Sequence, residues 1–171
     1  MDLLLVRCTD TQKSDEDDGN EGFDQPLSLR GRNEAERLGA WVRAQGIRGL
    51  RVVSSPAPGA RELAAMVSDH PEVSRRLGKE ANTADVLDVA GWPDDHRAVM
   101  IIAHQPVLGS LASLLLAGHE APWTFKKGSL WWFSNRSRSG ESQTILRCVL
   151  TPGLIKGGGI QARTATPREF K

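Results

Sequence analysis

The chain has 171 residues, 39% of them apolar, with 17 glycines, two cysteines and a net charge of +1. That length implies one domain with a real core, and the balanced charge argues against broad capture of nucleic acid or an anionic membrane. Two cysteines, Cys8 and Cys148, are too few for a disulfide scaffold, and no stretch approaches the roughly 18 apolar residues of a membrane span. Asp2 sits where a secretory leader would carry positive charge. The expectation is a soluble, cytosolic domain with no membrane or nucleic-acid partner.

Leu3 to Val6 is a short apolar run with no turn former, and it stops at Arg7 and Cys8. It reads as a buried parallel strand that delivers a cation and a thiol to its C-terminal edge. In open α/β sheets that edge is where ligands bind. Residues 10–25 follow, polar, Gly-interrupted and acidic (Asp15, Glu16, Asp17, Asp18, Glu21, Asp24). A solvated loop is the plain reading; a lid near the strand edge that selects a basic partner surface is the other.

From Pro26 to Val42 the pattern turns helical. Ser28 is placed to cap, Ala35, Leu38, Trp41 and Val42 share a face, and Gly46 supplies a stop. Leu50 to Ser54 reads as the second strand. Pro56-Ala57-Pro58 then opens a helix expected to run to about His70, with Leu63, Ala64 and Val67 inward. A short strand is expected within Val73 to Leu77. A brief helix from Thr83 to Ala90 follows, capped by Asn82 and broken by Gly91-Trp92-Pro93.

Ala98 to Ala103 is the most apolar strand in the chain, and Pro106 suits the first turn of a helix through Ala117. Lys127 to Ser134 and Gln143 to Leu150 read as two more strands, separated by a turn-rich stretch from Asn135 to Gly140. Strands alternating with helices imply a three-layer α/β/α sandwich, mainly parallel. Residues 1–152 are read as a single domain and 153–171 as a partly disordered tail.

Arg7 and Cys8 from one strand and His104 from another converge on one edge. A guanidinium offers a bidentate fork to phosphate or carboxylate oxygens, and a helix opening near Pro106 aims its positive end at the same place. The blander reading has His104 capping a helix and Arg7 paired locally. Cys8 admits a nucleophilic reading, because Arg and a helix dipole lower a thiol's pKa. The phosphate loop of cysteine phosphatases, however, needs Arg six positions on, where this chain has Ser14. Cysteine is also one of the commonest buried small hydrophobes. His70, His96 and His119 read as surface residues, and no group has metal-ligand spacing.

Four segments in order give a resemblance. Leu3-Leu-Leu-Val-Arg7, Pro26-Leu-Ser-Leu-Arg-Gly31, Ser55-Pro56 and Ile101-Ile-Ala-His-Gln-Pro106 resemble the histidine phosphatase superfamily, and within it the small SixA-type phosphohistidine phosphatases. Lys126-Lys-Gly-Ser-Leu-Trp-Trp132 is similar to bacterial members of that group. The resemblance covers most of residues 2–151 and implies the phosphoglycerate-mutase-like fold, no metal, no cofactor, and a phosphate pocket. In that family the first strand ends Arg-His-Gly with the His as nucleophile, and a second Arg and a second His complete the pocket.

Arg7 and His104 match the family's pattern, so the resemblance makes Arg7 phosphate-binding and His104 both phosphate-binding and catalytic. Two positions depart from it. Cys8 stands at the nucleophile, and Gly59 stands where the second Arg belongs. Arg61 lies about 200° further round the helix and is expected to face away. Three functions remain open: a phosphatase homologue that binds phosphate, on a histidine-phosphorylated partner protein or as a free oxyanion, with little or no turnover; a working phosphatase using Cys8 or a relocated group; and an interaction module without an anion site.

Overall fold

The computed structural model describes residues 1–12, 23–138 and 141–155. Among the described residues six strands form one sheet: β1 (Asp2–Arg7), β2 (Arg51–Ser54), β3 (Glu72–Val73), β4 (Val99–Ala103), β5 (Leu130–Arg138) and β6 (Glu141–Leu150). Their order is β3-β2-β4-β1-β5-β6. The first four run parallel, while β5 pairs antiparallel with β1 and β6 antiparallel with β5. The sheet is therefore mixed, with its parallel half carrying the strand ends singled out above.

Four helices among the described residues cover it: α1 (Leu29–Ala44), α2 (Pro58–Val67), α3 (Thr83–Ala90) and α4 (Val107–Ala117). Because successive strand side chains point to opposite faces, β1 feeds two cores. Leu4 and Val6 pack with Ala35, Leu38 and Val42 of α1 and Ala60, Leu63 and Ala64 of α2. Leu3 and Leu5 pack with Val86 and Ala90 of α3 and Leu108, Leu111 and Ala112 of α4. All four β1 side chains are fully buried, and the expected three layers are present. Among the described residues no helix is long and apolar enough to cross a membrane.

Local signals placed most helix ends. Ser28 Oγ accepts the Gly31 N–H at 3.0 Å, Asn82 and Asp85 form a reciprocal capping box, and Gly91 closes α3 in the left-handed region. Three expectations need correction. Helix α2 stops at Val67 instead of near His70, because Ser68 is extended. Only Glu72–Val73 is strand; Arg75–Leu77 is one 3₁₀ turn. Lys127 to Ser129 is a turn, not strand, whereas β5 continues to Arg138 and β6 starts at Glu141. Polar residues 135–138, read as a turn, are held by cross-strand pairing as far as Arg138↔Glu141. Tertiary pairing overrode composition there.

Trp132 is buried and meets Trp41 edge-on at 6.3 Å, while Trp131 stacks on Phe125 at 4.6 Å. The acidic segment 13–22 and the tail from 156 onward lie outside the described residues. Before that point Ile155 is buried against the α1 side of the core.

Two glycines set close approaches. A Cβ on Gly31 would stand 1.8 Å from the Asp10 carbonyl oxygen, and one on Gly109 would stand 1.7 Å from that of Trp123. In both cases backbone blocks the space, so the helix itself must move. Gly31→Ala and Gly109→Ala should each destabilise the fold by ~2 kcal/mol, at the level of overpacking in a rigid site. Chemical denaturation followed by circular dichroism would measure this; unchanged midpoints would show that α1 and α4 can shift freely.

Candidate functional site

The parallel register sets Arg7 of β1 opposite Ala103 of β4. The Cys8 N–H donates to the Ala103 carbonyl at 3.3 Å, which brings Cys8 beside the residue that precedes His104. The three side chains expected to converge therefore do leave the sheet at one edge. On the other side of β4, the Ser55 N–H donates to the Ile102 carbonyl at 2.9 Å. This places Ser55 directly after β2 and next to His104.

His104 is held from two directions. Its Nε2 shares a 2.7 Å hydrogen bond with Ser55 Oγ, and Ser55 Oγ in turn accepts the Ala57 N–H at 3.3 Å. The Phe23 ring lies tilted over the imidazole with centroids 4.4 Å apart. Lys79 holds Phe23 in place. Its ammonium sits 5.1 Å above the Phe23 ring and 2.9 Å from Asp24 Oδ2. Burial, aided by the nearby Arg7 charge, lowers the His104 pKa to about 4. At neutral pH the ring is uncharged.

Arg7 donates from Nη1 to the Phe125 carbonyl at 2.6 Å, so the loop before β5 orients its guanidinium. Helix α4 does start at this edge, but two first-turn N–H groups are already bonded. That of Leu108 goes to the His104 carbonyl at 3.3 Å and that of Gly109 to Gln105 Oε1 at 2.9 Å. The anion-binding contribution of this helix end is reduced accordingly.

Cys8 sits in an enclosed setting at the end of β1. The thiol is 6% exposed. Burial pushes its pKa up to about 12, and the opposing pulls of Lys127, a Thr9 backbone hydrogen bond and Arg7 do not offset this. The electropositive setting is present but too weak. At neutral pH the group is therefore a thiol rather than a thiolate.

Gly59 lies in the first turn of α2 and is buried. A Cβ built there would meet Leu27 Cδ2 at 3.1 Å, Cys8 Sγ at 3.2 Å and Thr11 Cγ2 at 3.2 Å. Position 59 thus faces Cys8, and its side-chain space is occupied by neighbours. Arg61 is exposed on the opposite side of the helix. His70, His96 and His119 are exposed as well, and among the described residues no three His, Cys, Asp or Glu side chains cluster as a metal site.

Sequence reasoning missed three contributors. Ser55 was visible only as the opening of a motif, without a stated role. Phe23 and the Phe125 carbonyl gave no signal, because neither belongs to a periodic segment and both meet the site through tertiary contacts.

Two outcomes follow. In a Cys148→Ser background the native protein should resist a thiol reagent at pH 8, and Cys8 should react only on unfolding; rapid labelling of the folded protein would contradict its burial. Since folding depresses the His104 pKa from 6.5 to about 4, its neutral form contributes stability above pH 6.5. That contribution is lost as pH falls toward 4, where the unfolded chain takes up the proton first. Between those limits the melting temperature of the wild type should fall more steeply than that of His104→Gln. Parallel profiles would rule out a buried neutral imidazole.

No family model matches the chain, and no curated protein matches it in sequence. Solved structures match it in fold. The protein histidine phosphatase SixA, in complex with tungstate, gives a TM-score of 0.71 at 22% identity, over 91% of this chain and 100% of its own. A mycobacterial glucosyl-3-phosphoglycerate phosphatase complexed with VO3 gives 0.62 at 19% identity, over 86% of this chain and 97% of that one. A phosphoserine phosphatase mutant from Entamoeba histolytica, in complex with phosphoserine, gives 0.62 at 13% identity, over 88% and 97%. The chain shares its α/β fold with these solved phosphatases, the fold that the four segments implied.

Proposed function

We propose that this protein is a SixA-like phosphatase homologue that binds a phosphoryl group at the β1–β4 edge and hydrolyses it slowly or not at all. The observation that carries the proposal is the protonated, buried thiol at the nucleophile position: Cys8, with a pKa of about 12. Covalent phosphoryl transfer needs an in-line nucleophile in its reactive form. A pKa near 12 leaves a vanishing thiolate fraction at neutral pH. Losing a nucleophile costs orders of magnitude in rate.

Gly59 compounds the loss. A second guanidinium would neutralise charge on the transferring oxygens, and such electrostatic terms are among the largest in catalysis. Here Leu27 and Thr11 stand against that position instead. Arg7 remains, oriented by Phe125, and His104 remains, held by Ser55. In this reading both are phosphate-binding, with His104 donating a hydrogen bond or, once charged beside a dianion, a full ion pair. The partner that suits an open strand edge is a protein phosphorylated on His.

The alternative of a working Cys8 phosphatase draws support only from the nearby charges of Lys127 and Arg7, which burial outweighs.

Hydrolysis of an aryl phosphate and of a phosphohistidine protein tests this, with tungstate-dependent melting alongside. Wild type should be silent in both assays yet stabilised by tungstate, by about 2.7 kcal/mol at 100 times its Kd. The double variant Cys8→His, Gly59→Arg should gain turnover, with its melting curve as the folding control. Wild-type turnover abolished by thiol alkylation would overturn the reading.

A further inference from the structure

A second cavity opens at the same sheet edge, one strand away from β4. Strand β5 begins there and β6 ends there, so the turn before β5 and the chain after β6 meet the N-terminal half of α1. The space between them is about 370 Å³ and is lined by Asp10, Arg30, Glu34, Arg37, Lys126 and Lys127. Pro152 and Gly153 form its rim. It belongs to the surroundings of Cys8: the Gly128 N–H donates to the Arg7 and Cys8 carbonyls at 3.1 and 3.2 Å, and Asp10 follows Cys8 by two residues.

Its charges are unevenly satisfied. Both acids are engaged. Glu34, nearly buried, holds Arg30 at 3.0 Å, and Asp10 accepts the Ser28 hydroxyl at 2.8 Å with Lys127 4.0 Å away. Two cations remain. Among the described residues neither Arg37 nor Lys126 has an ion-pair partner. The Arg37 Nε is buried without a hydrogen-bond acceptor, an uncommon state for a guanidinium N–H. An anionic group entering the cavity would meet the Arg37 guanidinium and the Lys126 ammonium in its lining.

We propose that this cavity is a second recognition site, taking the carboxylates of an acidic segment that flanks the phosphorylated residue on a partner protein. The size of the cavity favours side chains of a peptide over a single inorganic ion, which fills only a small part of such a volume. The inference rests on the proposed phosphoryl-binding function for its placement, but it has its own readout.

Fluorescence anisotropy at low salt with four peptides would test it. A stable phosphohistidine analogue or a plain His is flanked by Glu and Asp, or by Gln and Asn. Acidic flanks should tighten binding by roughly 10-fold, the scale of one or two charge-assisted hydrogen bonds. Arg37→Gln with Lys126→Gln should erase that preference while leaving tungstate-induced stabilisation intact. Lys126→Glu alone, an exposed change, should weaken the acidic peptides if the double variant folds poorly. Equal affinity for acidic and amide flanks in the wild type would overturn the inference. A preference for acidic flanks without any preference for the phosphoryl analogue would uphold the cavity and defeat the phosphoryl-site reading.

Discussion

The position of β1 governs everything at the site. It lies between β4, which runs with it, and β5, which runs against it, and it feeds both cores through Leu3 to Val6. A strand paired on both edges and covered on both faces has no freedom to shift register, because a slip of one residue would exchange its two buried faces. Arg7 and Cys8 are therefore positioned by the apolar packing of the strand that precedes them. The same packing extends one residue past the strand and encloses the Cys8 side chain.

Desolvation is the dominant electrostatic effect at this edge. Lys127 and Arg7 both favour a thiolate at Cys8, and Arg7 disfavours charge on His104, yet in each case burial is the larger cause. The result is a protonated thiol and an uncharged imidazole beside the charged guanidinium of Arg7, which is bonded to a backbone carbonyl. In the proposed function a dianion would restore charge to His104 and pair with Arg7. A Cβ built on Gly59 would stand 3.2 Å from Cys8 Sγ, so positions 8 and 59 share one closely packed space.

The fold also explains why two basic features sit so near one another. Antiparallel β5 and β6 return the chain twice to the edge where β1 ends, and α1 begins at that edge through the Ser28–Asp10 contact. Loops from distant parts of the sequence, at 8–12, 126–129 and 151–153, are stacked side by side. Lys126 and Lys127 looked like a minor surface patch in the sequence, because their companions Arg30 and Arg37 lie about 90 residues away.

Much of this protein was legible from the sequence. The apolar runs of β1 and β4, the Ser28 and Asn82 caps and the Gly46 and Gly91 stops depend on short-range patterns, and each of these features stands where the pattern put it. The convergence of Arg7, Cys8 and His104 was legible too, since parallel strands end at a common edge. What the sequence by itself did not determine was anything set by contacts far apart in the chain. The hairpin from 130 to 150 absorbed residues that looked like a turn, because strand pairing supplies hydrogen bonds that composition does not encode. Phe23 over His104 and the acceptor for Arg7 had no local signature. The protonation of Cys8 could be argued either way from its neighbours, and only tertiary burial, which raises the cost of a charge beyond what two nearby cations return, decided it.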